Sequence, residues 1–318
     1  MRNRLSIIGP GAIGTLLGVG LTRANCDVSM IFRAGSAQPS SLKLMRDGVE
    51  TEAKPRFVSV PAEIGVQDVV IIAVKSQDIP ALQAPLKHLV GPETTVVTAM
   101  NGLPWWFFNP RAHRMGNLEP HEAVNQQLHD FIEPRQIVAA LLYTNCSRLP
   151  DGAVQWHSGG KVVVGAAEPS SGQSRADNIA AMLRAAGLDV QATSSIRSAL
   201  WDKLVGNAVL NPVSALTRCT IGEIGADPVL LDLVKETMHE IESLGSRLGF
   251  TPHSSPDTRL AALAELATCR TSMLHDVLAG RPTEVQALLG PLLQEAARLD
   301  MPMRMTSILL ALTQGIRG

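Results

Sequence analysis

The chain has 318 residues, of which 45% are hydrophobic and 3% aromatic, and its formal net charge at pH 7 is −1. This length predicts about two domains, and the near-neutral charge gives no electrostatic basis for binding nucleic acid or an anionic membrane. The four cysteines (Cys26, Cys146, Cys219 and Cys269) stand far apart without a C-x-x-C motif, so we expect neither a disulfide framework nor a metal site. The sequence opens without a basic-then-apolar leader and contains no apolar run of ~18 residues, and we therefore expect a cytoplasmic protein.

A glycine motif follows the first predicted strand. Residues 5–8 form an apolar run typical of a buried strand, and residues 12–24 have apolar positions at helical spacing. Between them stand Gly9, Pro10, Gly11, Ala12, Ile13 and Gly14, which form the pattern G-x-G-x-x-G. In this setting the first glycine permits the tight turn, the second lets a pyrophosphate approach the backbone, and the third lets the helix pack on the strand. The helix N-terminus offers free N–H groups to phosphate, so these residues are predicted to bind a dinucleotide; the alternative is a glycine-rich turn without a ligand.

Three polar residues follow predicted strands at their carboxyl ends, where open α/β sheets bind ligands. Arg33 follows the strand at 28–32, Lys75 follows the strand at 68–74, and Asn101 follows the strand at 94–100. The strand at 28–32 has no acidic residue at its tip, and a guanidinium matches phosphate oxygens, so Arg33 predicts NADP rather than NAD as cofactor. Asn101 could bring an amide to the nicotinamide region. The alternatives are a surface arginine, a solvated lysine and an ordinary Asn-Gly turn.

The middle of the chain departs from a simple α/β rhythm. Residues 103–134 contain Trp105-Trp106-Phe107-Phe108, which either clamps a loop by packing or forms a wall of a substrate pocket. Strands are predicted at 137–144, 153–157 and 161–164, with hairpin turns at Asp151-Gly152 and Gly159-Gly160, followed by a helix at 176–186 and a strand at 188–192. Strand patterns then stop. We expect an α/β fold, with a Rossmann-type dinucleotide-binding domain at 1–193 and an all-α substrate and catalytic domain at 194–318.

A polar stripe runs along the first helix of this second domain. The predicted helices lie at about 196–211, 229–249, 257–280, 283–299 and 305–315. In the first of them, Lys203, Asn207 and Asn211 stand at i, i+4 and i+8 and share one face. A lysine can shift its pKa on burial and act as an acid or base, so the stripe is a candidate site; a hydrated helix face is the alternative. Pro212 predicts that the helix ends or kinks there.

Further polar residues lie near the end of the chain. Ser272 and Asp276 stand at i and i+4 in one predicted helix, and Glu284 lies in the first turn of the next helix. A glutamate in a first turn is favourable to the helix dipole whatever its function, so its position alone does not separate a structural from a functional role.

Together these motifs resemble the ketopantoate reductases (2-dehydropantoate 2-reductases), over nearly the whole chain. The residues that carry the resemblance are G-P-G-A-I-G at 9–14, V-K-S-Q at 74–77, Asn101-Gly102, W-D-K-L-x-x-N-x-x-x-N-P at 201–212 and S-M-L-x-D-x-x-x-G-R-x-T-E at 272–284. The last two are the most specific. The resemblance implies NADPH-dependent reduction of 2-dehydropantoate to pantoate, on the route to pantothenate and coenzyme A.

The resemblance also assigns roles to residues. It implies that Lys203 donates a proton to the ketone oxygen, that Asn207 and Asn211 contact the substrate, and that Asn101 lies between nicotinamide and substrate. It further implies that Ser272 binds the substrate carboxylate and that Lys75 and Glu284 hold the cofactor. A cationic lysine would also stabilise the alkoxide that develops during reduction.

The chain departs from the family pattern in three places. Ile221 stands where well-known members have another substrate-binding asparagine, Gln286 stands where an aspartate is frequent, and segment 103–134 is longer and more aromatic. These differences leave the fold and the reductase chemistry intact and concern the identity of the substrate. Two alternatives stay open: the same chemistry on another small 2-oxo acid, and a non-catalytic NADP-binding regulator, against which the intact stripe of Lys203, Asn207 and Asn211 argues. A homodimer is an open expectation for the assembly.

Overall fold

The computed structural model describes residues 3–108, 128–250, 259 and 267–316. The chain divides into two compact units. The first contains Met1–Met100 and Pro104–Ile196, and the second contains Asn101–Leu103 and Arg197–Gly318. The second unit is therefore discontinuous in sequence.

One mixed ten-stranded sheet forms the centre of the first unit. Its strands are β1 (Arg4–Ile8), β2 (Asp27–Ile31), β3 (Leu42–Arg46), β4 (Val49–Ala53), β5 (Arg56–Val58), β6 (Val69–Ile72), β7 (Thr95–Thr98), β8 (Ile137–Arg148), β9 (Val154–Ala166) and β10 (Asp189–Ala192). They are ordered β4-β3-β9-β8-β7-β6-β1-β2-β5, and β10 pairs with β9. Because β7, β6, β1 and β2 are mutually parallel, their carboxyl ends meet at one edge of the sheet.

Three helices within the described part of the first unit cover the apolar central strands. They are α1 (Ala12–Arg23), α2 (Gln83–Leu89) and α3 (Pro169–Ala185). Leu5, Ile7 and Met30 of the sheet are completely buried, and Leu17 and Leu21 of α1 belong to the same core. The predicted apolar runs form strands here because their side chains are buried on both faces of the sheet, as is typical of parallel strands between helices.

The prediction of a hairpin turn at Gly159-Gly160 is wrong, because β9 continues through both residues. Their φ angles are +78° and +138°, and the pairing with β8 shifts register between Tyr143 and Thr144. The two glycines therefore form an irregularity inside a long strand. The chain reverses instead at the predicted Asp151-Gly152 turn, where the Leu149 N–H donates to the Ala153 carbonyl at 2.8 Å. Glycines with positive φ serve both bulges and turns, so sequence did not distinguish them.

The aromatic cluster favours packing over a pocket wall. Trp105, Trp106 and Phe107 are 6%, 2% and 1% exposed, and the Trp106 indole N–H donates to the Thr98 hydroxyl at 3.3 Å. This arrangement fixes the chain directly after β7. The remainder of segment 103–134 between residues 109 and 127 lies outside the described residues.

The described part of the second unit is helical. Its helices are α4 (Ile196–Thr217), α5 (Ile221–Ala226), α6 (Pro228–Arg247), α7 (Ser272–Leu278), α8 (Val285–Arg298) and α9 (Arg304–Gln314). The predicted continuous helix at 257–280 is wrong at residues 267–271, which are not helical; 257–258 and 260–266 lie outside the described residues. A new helix begins after Thr271, because the Thr271 side chain caps α7 by accepting from the Leu274 N–H.

Pro212 lies inside α4 and does not end it, contrary to one of the two outcomes predicted for it. Proline removes one helical hydrogen bond at this position. The apolar neighbours Val209 and Val213 are 0% and 1% exposed, and their burial stabilises the helix on both sides of the proline.

Candidate active site

The turn between β1 and α1 has room for a ligand at one glycine only. Gly9 has φ +103°, and a Cβ at Gly14 would lie 1.9 Å from the Gly9 carbonyl oxygen, so these two glycines are required by the turn itself. At Gly11, by contrast, a Cβ would meet nothing within 4 Å. Gly11 is the N-cap of α1, and no side chain caps the first turn of this helix. Open space beside uncapped helix amides fits an anionic pyrophosphate.

We expect Gly11→Ala to separate ligand binding from folding. Gly11 has φ −79°, a conformation that alanine adopts, so the melting temperature should be unchanged. If the pyrophosphate occupies the open space, the added methyl group should weaken NADPH binding about tenfold or more. Titration of nucleotide fluorescence measures the affinity. Gly14→Ala is the matched comparison, since its clash should lower the melting temperature. Unchanged NADPH affinity in the Gly11 variant would refute the ligand role of the turn.

Arg33 and Lys75 lie beyond the carboxyl ends of the two strands that flank β1 in the first unit. Arg33 follows β2, and its side chain is 74% exposed. Lys75 follows β6 and is the N-cap of a short 3-10 helix, Ser76–Leu82. Sequence reasoning missed a third residue here: Asp78 of this 3-10 helix accepts a hydrogen bond from Arg33 Nη2 at 2.5 Å. The guanidinium predicted to bind phosphate thus has a carboxylate partner.

Lys203 and Asn101 meet in the second unit. Lys203 Nζ on α4 donates to Asn101 Oδ1 at 3.0 Å, although 102 positions separate them in the sequence. Desolvation by burial lowers the pKa of Lys203 to about 8. A lysine with this pKa holds its proton at neutral pH and releases it more readily than an exposed lysine does. The pair therefore combines a desolvated ammonium with an amide oxygen that accepts one of its hydrogen bonds.

The other two residues of the polar stripe on α4 are partly or largely withdrawn from solvent. Asn207 is partly buried and Asn211 is 8% exposed, one and two turns beyond Lys203. Buried amides on a helix are costly unless a polar partner satisfies them. This burial favours the binding interpretation of the stripe over the hydrated one.

Residues next to Lys203 anchor α4. Trp201 is buried and stacks on Phe250, with ring centroids 5.0 Å apart. Asp202 accepts a hydrogen bond from Arg259, which also donates to Glu242 of α6. Burial raises the pKa of Glu242, and the Arg259 cation opposes that shift. Sequence reasoning missed this cluster, because its members are separated by at least 17 positions.

Ser272, Glu284 and Ile221 lie at the starts of three other helices of the second unit. Ser272 is the exposed first residue of α7, and Glu284 is the N-cap of α8 rather than a residue of its first turn. Asp276, which stands four positions after Ser272, is buried and accepts from Arg281 Nε at 2.9 Å. Ile221 is 8% exposed at the start of α5. The structure thus joins Lys203 to Asn101, and leaves the roles of Ser272 and Glu284 as predictions.

Two further findings concern the described residues only. They contain no group of three or more His, Cys, Asp or Glu residues arranged to hold a metal ion. None of their helices combines the length and apolar character needed to cross a membrane.

The sheet topology, the glycine turn and the desolvated lysine define the class of a Rossmann-type, dinucleotide-dependent oxidoreductase. Comparison with protein families shows which family of this class the chain belongs to. Residues 5–169 match the family model "Ketopantoate reductase PanE/ApbA", and residues 195–317 match "Ketopantoate reductase PanE/ApbA C terminal". The chain belongs to the ketopantoate reductase family.

Similar proteins span the whole chain. A 2-dehydropantoate 2-reductase of Mesorhizobium japonicum is 32% identical, over 98% of this chain and 97% of its own. One of Archaeoglobus fulgidus is 26% identical over 99% and 98% of the two chains. The crystal structure of 2-dehydropantoate 2-reductase from Geobacter metallireducens has a TM-score of 0.84 at 25% identity, over 98% of this chain and 99% of that one.

Proposed function

We propose that this protein is a 2-dehydropantoate 2-reductase that reduces 2-dehydropantoate to pantoate with NADPH. The observation that carries the proposal is its 32% identity to a protein of that name over almost the full length of both chains. The proposal includes a cytoplasmic location and a homodimer. Light scattering during gel filtration would measure the molar mass and so test the homodimer.

The chain's own residues divide the chemistry between binding and proton transfer. NADPH supplies the hydride when bound, and the open turn at Gly11 together with the Arg33 guanidinium suits its pyrophosphate and 2′-phosphate. Lys75 and Glu284 are proposed as further cofactor contacts. Lys203 holds a proton at Nζ for the ketone oxygen, and its cation stabilises the developing alkoxide. Asn101 orients that ammonium through the 3.0 Å hydrogen bond. Asn207, Asn211 and Ser272 are proposed to bind the substrate's carboxylate and hydroxyl groups.

The direct test is a panel of 2-oxo acids assayed by loss of NADPH absorbance. We expect 2-dehydropantoate to have the highest kcat/KM, because a site that hydrogen-bonds a substrate hydroxyl discriminates against analogues without one. Branched and aromatic 2-oxo acids are the comparison. Efficient use of one of them without turnover of 2-dehydropantoate would assign the same chemistry to another substrate, an outcome for which Ile221 provides a reason. No turnover with any 2-oxo acid, but tight NADPH binding, would favour the regulator.

The value of kcat/KM for the reduction should fall at alkaline pH. Burial lowers the pKa of Lys203 to about 8, and the proton donor must be protonated to act. We therefore expect log kcat/KM for the reduction to be level below this pKa and to fall above it by about one unit per pH unit. Rates measured with saturating NADPH between pH 6 and pH 10 would check this limb. A profile without a descending limb would contradict the role of Lys203 as the acid.

A further inference from the structure

The Arg33–Asp78 ion pair joins the carboxyl ends of two strands that flank β1. β2 and β6 both pair with β1 in parallel, so the residues that follow them emerge at the same edge of the sheet. Arg33 lies just beyond β2, and Asp78 lies in the 3-10 helix beyond β6, 45 positions later. The sequence has no acidic residue at the tip of β2. The fold instead brings an acidic residue, Asp78, to this position from the 3-10 helix that follows β6.

We propose that Asp78 is a cofactor-specificity determinant that limits the preference for NADPH conferred by Arg33. This inference rests on the proposed function to the extent that it assumes dinucleotide binding at the β1–α1 turn. In it, Arg33 receives the 2′-phosphate of NADPH. Asp78 opposes that phosphate and offers the adenosine ribose hydroxyls of NADH an acceptor.

The two effects follow from the charges and donors present. The Asp78 carboxylate accepts from Nη2 of Arg33 at 2.5 Å, so any phosphate held by the same guanidinium lies close to a second negative group. A guanidinium has five N–H donors, and the remaining ones can bind a phosphate while the ion pair persists. A carboxylate accepts hydrogen bonds and repels a phosphate, whereas a ribose 2′-hydroxyl can donate to it. Asp78 should therefore weaken NADPH binding and strengthen NADH binding.

The exposure of both side chains limits the size of the effect. Arg33 is 74% exposed and Asp78 is 33% exposed, so solvent and salt screen the repulsion. Asp78 is thus expected to modulate the preference and not to reverse it. The effect should shrink as ionic strength rises.

The test measures nucleotide binding in the absence of a 2-oxo acid. Dissociation constants for NADPH and NADH are obtained by nucleotide fluorescence for the wild type, Asp78→Asn, Asp78→Glu and Arg33→Ala, at low and high salt. We expect Asp78→Asn to raise the ratio of NADPH to NADH affinity by about tenfold at low salt, through tighter NADPH and weaker NADH binding. Asp78→Glu should retain the wild-type ratio, and Arg33→Ala should lose most of the NADPH preference.

A matched control removes the carboxylate of an exposed ion pair elsewhere in the first unit. Lys43 Nζ and Glu50 Oε1 are 3.2 Å apart on β3 and β4, and Glu50→Gln should leave both affinities unchanged. Melting temperatures of all variants report whether the fold persists. If Asp78→Asn is destabilised, the affinity ratio of Asp78→Ser decides in its place, with the same expected rise.

The outcomes separate this inference from the proposed function. An unchanged ratio in the Asp78 variants, or equal weakening of both cofactors, overturns the inference even if the wild type reduces 2-dehydropantoate. A shifted ratio supports the inference even if 2-dehydropantoate is not a substrate, which would overturn only the proposed function. A wild type that binds neither nucleotide overturns both.

Discussion

Lys203→Ala is expected to lower kcat by roughly 10²–10⁴, which is the usual contribution of a positioned general acid. The melting temperature and the dissociation constant of NADPH should remain near their wild-type values, because the substitution removes a desolvated ammonium and leaves the glycine turn intact. Steady-state kinetics with the best 2-oxo acid and nucleotide titration measure the two effects separately.

Two further variants identify what is lost. Lys203→Arg keeps a cation but cannot release its proton near neutral pH, so it should recover little of the rate. Lys87→Ala removes a lysine from the α2 surface and should keep the full rate. Near-normal turnover in the Lys203→Ala variant would show that another group supplies the proton.

Arg259→Met is expected to destabilise the protein by up to about 3–5 kcal/mol, because it leaves the buried Glu242 carboxylate and the partly buried Asp202 carboxylate without their cation. Arg259, Asp202 and Glu242 have side-chain exposures of 11%, 18% and 10%. Urea unfolding measures the change in the free energy of unfolding. Arg4→Met is the control, because the Arg4–Asp68 pair is 55% and 47% exposed and should contribute less than about 1 kcal/mol.

The defect of Arg259→Met should depend on pH in a defined direction. Burial raises the pKa of Glu242 and the cation of Arg259 counteracts this, so its removal raises that pKa further. A carboxyl group whose pKa is higher in the folded state than in the unfolded state contributes most at acidic pH, and its contribution is lost as pH rises through the folded pKa. The variant should therefore be least affected at pH values below the raised folded pKa of Glu242 and most affected at pH values above it.

Neutralising the two carboxylates tests whether their charge causes the loss of stability in Arg259→Met. Asp202→Asn and Glu242→Gln, added to Arg259→Met, should restore part of the stability, because no buried charge then lacks a partner. A defect that is independent of pH and is not reduced by these substitutions would show that Arg259 stabilises the unit by packing alone.

Local patterns predicted the elements of the fold, and their errors have local causes. The glycine turn was predictable because strand, turn and helix are contiguous over residues 5–24. The helix does not end at Pro212, one of the two predicted outcomes, because the lost hydrogen bond is outweighed by the burial of the neighbours of Pro212 in α4. Gly159 and Gly160 were misjudged because positive φ angles occur in strand irregularities as well as in hairpin turns.

From spacing alone, the candidate site was predictable only where its residues share one element, whereas the resemblance placed Lys203 and Asn101 at the same substrate without giving their contact. The spacing of Lys203, Asn207 and Asn211 on one helix follows from the helical period. The hydrogen bond from Lys203 to Asn101 and the pairing of Arg33 with Asp78 join residues 102 and 45 positions apart, and a single sequence carries no signal of such contacts. The assigned roles of the site residues stay predictions until the variants are measured.

The discontinuity of the second unit limits how this protein can be divided or recombined. A gene fragment that begins at Arg197 encodes Lys203 without its hydrogen-bond acceptor, because Asn101 belongs to the same unit but lies almost one hundred positions earlier. A chimaera that exchanges only residues after 196 would inherit an asparagine and a lysine from different parents. The Asn-Gly dipeptide after β7 therefore has to be transferred together with the helices. A single crossover point in the gene cannot exchange the second unit as a whole.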